Sequence, residues 1–143
     1  MRISKCIFAL LLSLVVLSLA GCSRHASGDP PAPLRVVTEI EITFEDGPLH
    51  CRRHYTQDEK MSQILAYLRQ IDPYGTPQED PLLTDGSLFQ ISLTYSDGSK
   101  KIYEQKGDRF LRQDGGPWEN INPAKAEALG QLLGTLPSDH EEL

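Results

Sequence analysis

His50-Cys51-Arg52-Arg53-His54 gathers two imidazoles, a thiol and two guanidiniums into one short run, the densest set of chemically capable side chains in the sequence. On a helix, His50 and His54 would be neighbours and could share a metal ion. On a strand, residues four apart lie about 13 Å apart at roughly 3.3 Å per residue, and alternate side chains point to opposite faces. A zinc ion needs its ligand atoms at about 2.0–2.3 Å from one centre. Asp46-Gly47 just upstream marks a tight turn, which favours the strand. Metal or heme capture through His50, His54 and either His25 or His140 is therefore an alternative behind a structural role, and no metal or cofactor is expected.

Other chemistry has little support. No serine is flanked by the glycines of a nucleophile elbow, no glycine-rich phosphate loop occurs, and neither Cys-x-x-Cys nor His-Glu-x-x-His is present. Glu39 and Glu41 precede a basic segment that can pair with them, and Asp46, Asp85, Asp97 and Asp108 fall in turn-forming sequence, so their ordinary role is solvated charge and turn formation. The expectation is a protein that is not an enzyme.

The elements that position these residues are legible as alternations. Val36, Thr38, Ile40, Ile42 and Phe44 share one parity, with Glu39, Glu41, Thr43 and Glu45 on the other, which predicts a half-buried strand. A two-residue loop at Asp46-Gly47 would pair Phe44 with Leu49, Ile42 with Cys51, Glu41 with Arg52 and Glu39 with His54. This register buries Cys51 as an inert core thiol. Pro48, which has no amide donor, is an objection that could move the turn by a residue. Thr56-Gln-Asp-Glu59 has the form of a capping box, and Met61, Ile64, Leu65, Leu68 and Ile71 follow at helical spacing, predicting a helix over 57–71.

After a loop rich in Pro and Asp over 76–86, Ile91-Ser-Leu-Thr-Tyr-Ser-Asp-Gly98 repeats the pattern of Ile40-Glu-Ile-Thr-Phe-Glu-Asp-Gly47. Asp97-Gly98 leads to a strand over 100–106, Gly107-Asp108 to a shorter strand over 109–113, and Asn122-Pro123 opens a second helix that Pro137 ends. The fold expected is α+β: an antiparallel sheet of about five strands with two helices on one face, from a degenerate strand-strand-helix duplication. The uncovered face would carry Glu39, Glu41, His50, Arg52, His54, Gln90, Ser92, Thr94, Lys101 and Tyr103. Arg52, His54, Lys101 and Tyr103 are its candidate partner contacts. Trp118, the one tryptophan, is a further candidate, although such a residue more often staples a loop to the core.

Leu19-Ala20-Gly21-Cys22, behind an apolar run from Ile7 and the basic Arg2 and Lys5, resembles the lipobox of bacterial lipoprotein signal peptides. The resemblance implies lipid attachment at Cys22, cleavage before it, and anchoring to a bacterial cell membrane on the extracytoplasmic face. Ser23, where an Asp is lacking, resembles the signal for onward transfer to the outer membrane in hosts with two membranes. The organisation expected is a signal peptide over 1–21, lipidated Cys22 with a Pro-rich linker over 22–33, one domain over 34–137, and a frayed acidic tail over 138–143.

With 14 basic and 20 acidic residues, and with Arg2 and Lys5 leaving with the signal, the exported part is acidic, which disfavours nucleic acid and anionic headgroups as partners. The leading function expected is a non-catalytic binding or accessory module that recognises an envelope protein or a cell-wall component. An alternative is inhibition of an exported enzyme: the tandem units resemble the architecture of beta-lactamase inhibitory proteins, with no shared residue motif.

Overall fold

The structure, a computed structural model, describes residues 34–142. The expected signal peptide over 1–21, the expected lipidation site Cys22 and the expected linker to residue 33 lie outside the described residues. In chain order the elements are β1 (Val37–Asp46), β2 (Leu49–Tyr55), α1 (Asp58–Gln70), a 3-10 turn (Pro81–Leu83), β3 (Leu88–Tyr95), β4 (Lys100–Lys106), β5 (Phe110–Gln113), β6 (Glu119–Asn120), α2 (Pro123–Thr135) and β7 (His140–Glu142). They build one antiparallel sheet of order β6-β5-β4-β3-β1-β2-β7 with two helices, a mixed α+β fold. The sheet is wider than expected, because β6 and β7 add a short strand at each edge. Short edges offer little unpaired backbone to other chains.

The two similar strand segments lie side by side at the centre. Glu41 pairs with Ser92, Ile40 with Leu93 and Ile42 with Ile91, so the pairing is two-fold about equivalent positions in the two segments. Ile40, Ile42, Ile91 and Leu93 turn one face to the helices, where they meet Met61, Ile64, Tyr67 and Ile71 of α1 and its end, and Ala126, Leu129 and Leu136 of α2 and its end. Full burial of each such aliphatic side chain contributes about 1.5–3 kcal/mol relative to exposure, which explains why both helices collect on this face.

The hairpins correct the expected registers. The β1–β2 loop is Gly47-Pro48, not Asp46-Gly47: Asp46 pairs with Leu49, Phe44 with Cys51, Thr43 with Arg52 and Glu41 with His54. Gly47 takes φ 57. The proline ring holds Pro48 to a negative φ, and this sign order is that of a type II′ turn. Pro48 thereby sits where no amide is needed. The shift slides each residue along its own face, so β2 keeps its expected orientation.

The second hairpin differs more. Its loop has three residues, Ser96-Asp97-Gly98, closed by Tyr95 N–H to Ser99 O at 2.9 Å and Gly98 N–H to Tyr95 O at 2.8 Å, with Gly98 also at positive φ. Asp97 accepts from the Ser99 N–H at 2.9 Å, and the Ser99 bonds hold its carboxyl below the usual range. One extra loop residue turns β4 over. Ser92 faces Ile102, while Ile91 faces Tyr103 and Leu93 faces Lys101. Lys101 and Tyr103 therefore lie on the helix face, contrary to the expected placement.

The tail is also corrected. β7 pairs with β2, and the Asp139 carboxylate accepts from the backbone N–H groups of Thr56 at 2.8 Å and Gln57 at 3.2 Å and from Lys60 Nζ at 2.5 Å. The expected capping box does not form: Gln57 stands at the N-cap with no side-chain bond. Asp139, 83 residues from Thr56, supplies the cap instead. It satisfies orphan donors at the start of α1 and places a negative charge at the helix's positive end. The second helix starts as expected, with Asn122 Oδ1 accepting from the Ala124 N–H at 3.0 Å ahead of Pro123. No helix among the described residues is long and apolar enough to cross a membrane.

Candidate functional site

The face of the sheet away from the helices, which no helix among the described residues covers, carries a row that crosses five strands: Arg52, Thr43, Gln90, Glu104 and Arg112, each paired with the next. Adjacent strands are about 4.8 Å apart, so the row runs about 19 Å with a guanidinium at each end. Arg112 is held rigidly. Its Nε and Nη2 donate to the two Glu104 carboxylate oxygens at 2.6 and 2.8 Å, and its guanidinium lies 4.6 Å from the Trp118 ring centroid. The bidentate fork and the ring fix the planar cation on two sides. Trp118 is half-buried and stands outside the main apolar cluster, so its expected role as a core staple is corrected: it flanks the sheet face through Arg112.

Two residues along β2 from Arg52, His54 is held by both ring nitrogens, with Nδ1 3.2 Å from Glu39 Oε1 and Nε2 3.5 Å from Glu41 Oε2. His50 has its own carboxylate, Glu45, at 3.5 Å. The two histidines thus engage different acids, and among the described residues no three of His, Cys, Asp and Glu are grouped so as to hold a metal ion. At the far end the face is partly closed. Phe110 shares the parity of Lys106 yet is 2% exposed, beside a cavity of about 590 Å³ that Tyr74, Gln78 and Glu79 help to line. Arg109 pairs with Glu79, Lys106 bonds Gly86 O, and Tyr74 N–H donates to Asn120 O at 2.8 Å, which ties the Pro- and Asp-rich loop across that end.

Of the five candidate contacts, the structure puts Arg52 and His54 on the uncovered face, brings Trp118 to its border, and turns Lys101 and Tyr103 to the helix face. Lys101 Nζ stands 5.0 Å over the Tyr103 ring, and hydrogen bonding with Tyr103 holds its ammonium above the ordinary value. Tyr103 packs against the apolar cluster. Sequence reasoning missed Arg112 and Glu104; their opposite charges alone gave no pairing, because the parity of β5 could not be read.

A second feature lies on the helix face, at the β1–β2 loop end. Ile42, Phe44, Leu49, Cys51, Phe89 and Leu133 line a cavity of about 390 Å³, with Arg53 and His50 as its basic groups. Phe44 and Phe89, paired across β1 and β3, have ring centroids 4.9 Å apart. Arg53 Nη1 donates to Leu133 O at 2.6 Å, spanning from sheet to helix. α2 presents Gly130 and Gly134, both exposed, at the rim of this cavity, and a Cβ at either would meet nothing within 4 Å. Each helix-interior glycine costs about 0.5–1 kcal/mol relative to alanine. Cys51 lines this cavity and is half-buried, rather than sealed in the core against Ile42 as expected.

The α+β class is as far as the fold identifies the chain. Neither the protein-family models, nor the curated proteins, nor the solved structures contain a match to it.

Proposed function

We propose that this chain is a lipid-anchored binding module on the extracytoplasmic face of a bacterial membrane, non-catalytic, recognising an envelope protein or a cell-wall component through its uncovered sheet face. The observation that carries the reading is Arg112, clamped by Glu104 and stacked on Trp118 at one end of the cross-strand row that ends at Arg52. Tryptophan and arginine dominate binding hot spots, and side chains already fixed in the free protein lose less entropy on association. An anchor at Cys22 would confine the module to a thin layer at the membrane and raise its effective concentration toward envelope partners. The two-fold pairing about Glu41 and Ser92 supports descent of the domain from a duplicated strand-strand-helix unit, which would give a wide sheet from a short gene segment.

The anchoring half of the reading is tested by feeding the host a radiolabelled fatty acid. Label is expected on the parent and not on Cys22→Ser. Equal labelling of both, or none on the parent, would remove the membrane from the reading.

A further inference from the structure

We propose that the cavity at the β5–β6 end of the sheet is a binding site for a neutral saccharide, with one sugar ring laid on the Tyr74 ring and its hydroxyls bonded by Thr76, Gln78 and Asn120. Such a ligand presupposes the envelope-facing binding module proposed above, and gives it a ligand class and a place. The cavity measures about 590 Å³, within the range of about 300–1,000 Å³ usual for small-ligand sites. Asn120 pairs with Phe110, so both belong to the face that carries Glu104 and Arg112, and the cavity continues the partner face at its Arg112 end.

The lining selects a neutral polyhydroxyl. Among the described residues its charged groups are Glu79 and Arg109, which pair with each other, so the cavity offers no net charge to an anion or a cation. Tyr74, Thr76, Gln78 and Asn120 supply two hydroxyls and two amides, each able to donate and to accept, and none of these side-chain groups has a hydrogen-bond partner among the described residues. Sugar hydroxyls have the same dual capacity, so each can be matched without setting donor against donor. The second Glu79 oxygen adds an acceptor for charge-assisted bonds, which are about twice as strong as neutral ones. Tyr74 is 57% exposed although it stands in a cavity wall, which leaves an apolar ring face in water. The C–H groups on one side of a sugar ring carry partial positive charge and meet the negative face of an aromatic ring. An alkyl chain finds no Leu, Ile, Val or Met in this wall among the described residues.

The backbone places these groups before a ligand arrives. Tyr74 N–H donates to Asn120 O at 2.8 Å and Asn120 N–H to Gly75 O at 3.1 Å, so the loop adds an antiparallel bridge to β6. The Arg109 guanidinium lies 5.0 Å from the Phe110 ring centroid while it pairs with Glu79, which ties the loop a second time. The chain from Ile71 to Ser87 has one 3-10 turn as its regular structure. Loops longer than about 12–15 residues with so little structure of their own are uncommon in compact domains and are usually functional or disordered. This one is fastened to the sheet end at Asn120, Arg109 and Lys106, which leaves the functional explanation. Groups carried on a fixed backbone lose less entropy on binding.

The test titrates the isotope-labelled full chain in phosphatidylcholine nanodiscs with chitotriose, cellotriose and maltotriose, with trigalacturonate as the acidic control, and follows backbone amide shifts by NMR. At least one of the neutral sugars is expected to move the amides around Tyr74, Gln78, Arg109 and Asn120 in a saturable way, and trigalacturonate is expected to leave them in place. Tyr74→Ala should weaken that binding by about tenfold or more with the melting temperature unchanged, because the side chain is exposed, and Tyr74→Phe, which keeps the ring face, should weaken it less. Arg52→Ala, at the opposite end of the cross-strand row, should leave saccharide binding as it is, so that failure of partner recovery in cells and failure of this site are read separately. No saturable shift with any neutral sugar, equal shifts with trigalacturonate, shifts centred elsewhere, or unchanged affinity in Tyr74→Ala would overturn the proposal.

Discussion

Tyr67→Phe tests the packing of the fold and the orientation of β4 in one experiment. The Tyr67 hydroxyl donates to Gln105 Oε1, and Gln105 Nε2 donates to Gly107 O at 2.9 Å. Tyr67 is 5% exposed and Gln105 2%, so neither group has water as a substitute partner. Burial pushes the phenol well above its ordinary pKa, which keeps it protonated and a donor at neutral pH. Removing the hydroxyl strands a buried amide oxygen, at about 1–3 kcal/mol. Gln105→Leu leaves the phenol with only its longer 3.5 Å contact to Ala126 O and removes the donor to the half-buried Gly107 carbonyl, at a similar or smaller cost. Replacing both partners together removes the mismatch, so the double variant should cost less than the sum of the singles by roughly 0.5–3 kcal/mol.

Urea unfolding at a constant m value reads all three differences. The coupling requires Gln105 to face α1. Had β4 followed a two-residue Asp97-Gly98 loop, Gln105 would sit on the uncovered face, and both single changes would fall within about 0.5 kcal/mol of neutral. That result, or strict additivity, would refute the three-residue loop and the register it sets.

The other expectations are narrower. Asp139 is held well below the usual carboxylate range, first by Lys60 and then by the Thr56 and Gln57 amides. A depressed pKa gives stability that is complete above the unfolded value, about 3.9, and is lost as pH falls toward the folded one. The urea midpoint of the parent should therefore drop more steeply than that of Asp139→Asn between about pH 5 and about pH 2, and parallel curves would contradict the cap. Gly47 has left-handed backbone, which costs an L-residue about 1–2 kcal/mol. Gly47→Ala should lose a comparable amount in the same assay, and no loss would count against the Gly47-Pro48 loop.

The residues also explain which features are legible without the structure. Strict alternation around Ile40 and Ile91, and the helical stripes from Met61 and Ala126, carry the elements because burial imposes a period on each. The same Asp-Gly dipeptide serves both hairpins, yet the loops differ. Pro48 forces the first turn one residue later, and Ser99, bonding back to Asp97, accompanies the longer second loop. One residue there decides the face of Lys101 and Tyr103, and local pattern carries no signal that strong. Asp139 escapes local pattern for a related reason. Its hydrophilic surroundings describe a tail, while its role as a cap depends on a helix start far away in sequence. Gly130 and Gly134 stand out as departures from a leucine-rich helix, but only the packed sheet shows that they border a cavity.

The most direct measurement is crosslinking in the living host with the full-length protein, comparing the parent with Arg52→Ala/Trp118→Ala and with Lys101→Ala. Lys101 lies on the helix face and serves as the control. If the uncovered face recognises a partner, a specific species is recovered by the parent and by the Lys101 variant and is lost from the Arg52/Trp118 variant. Recovery of that species by all three, or of none by the parent, would contradict recognition by that face.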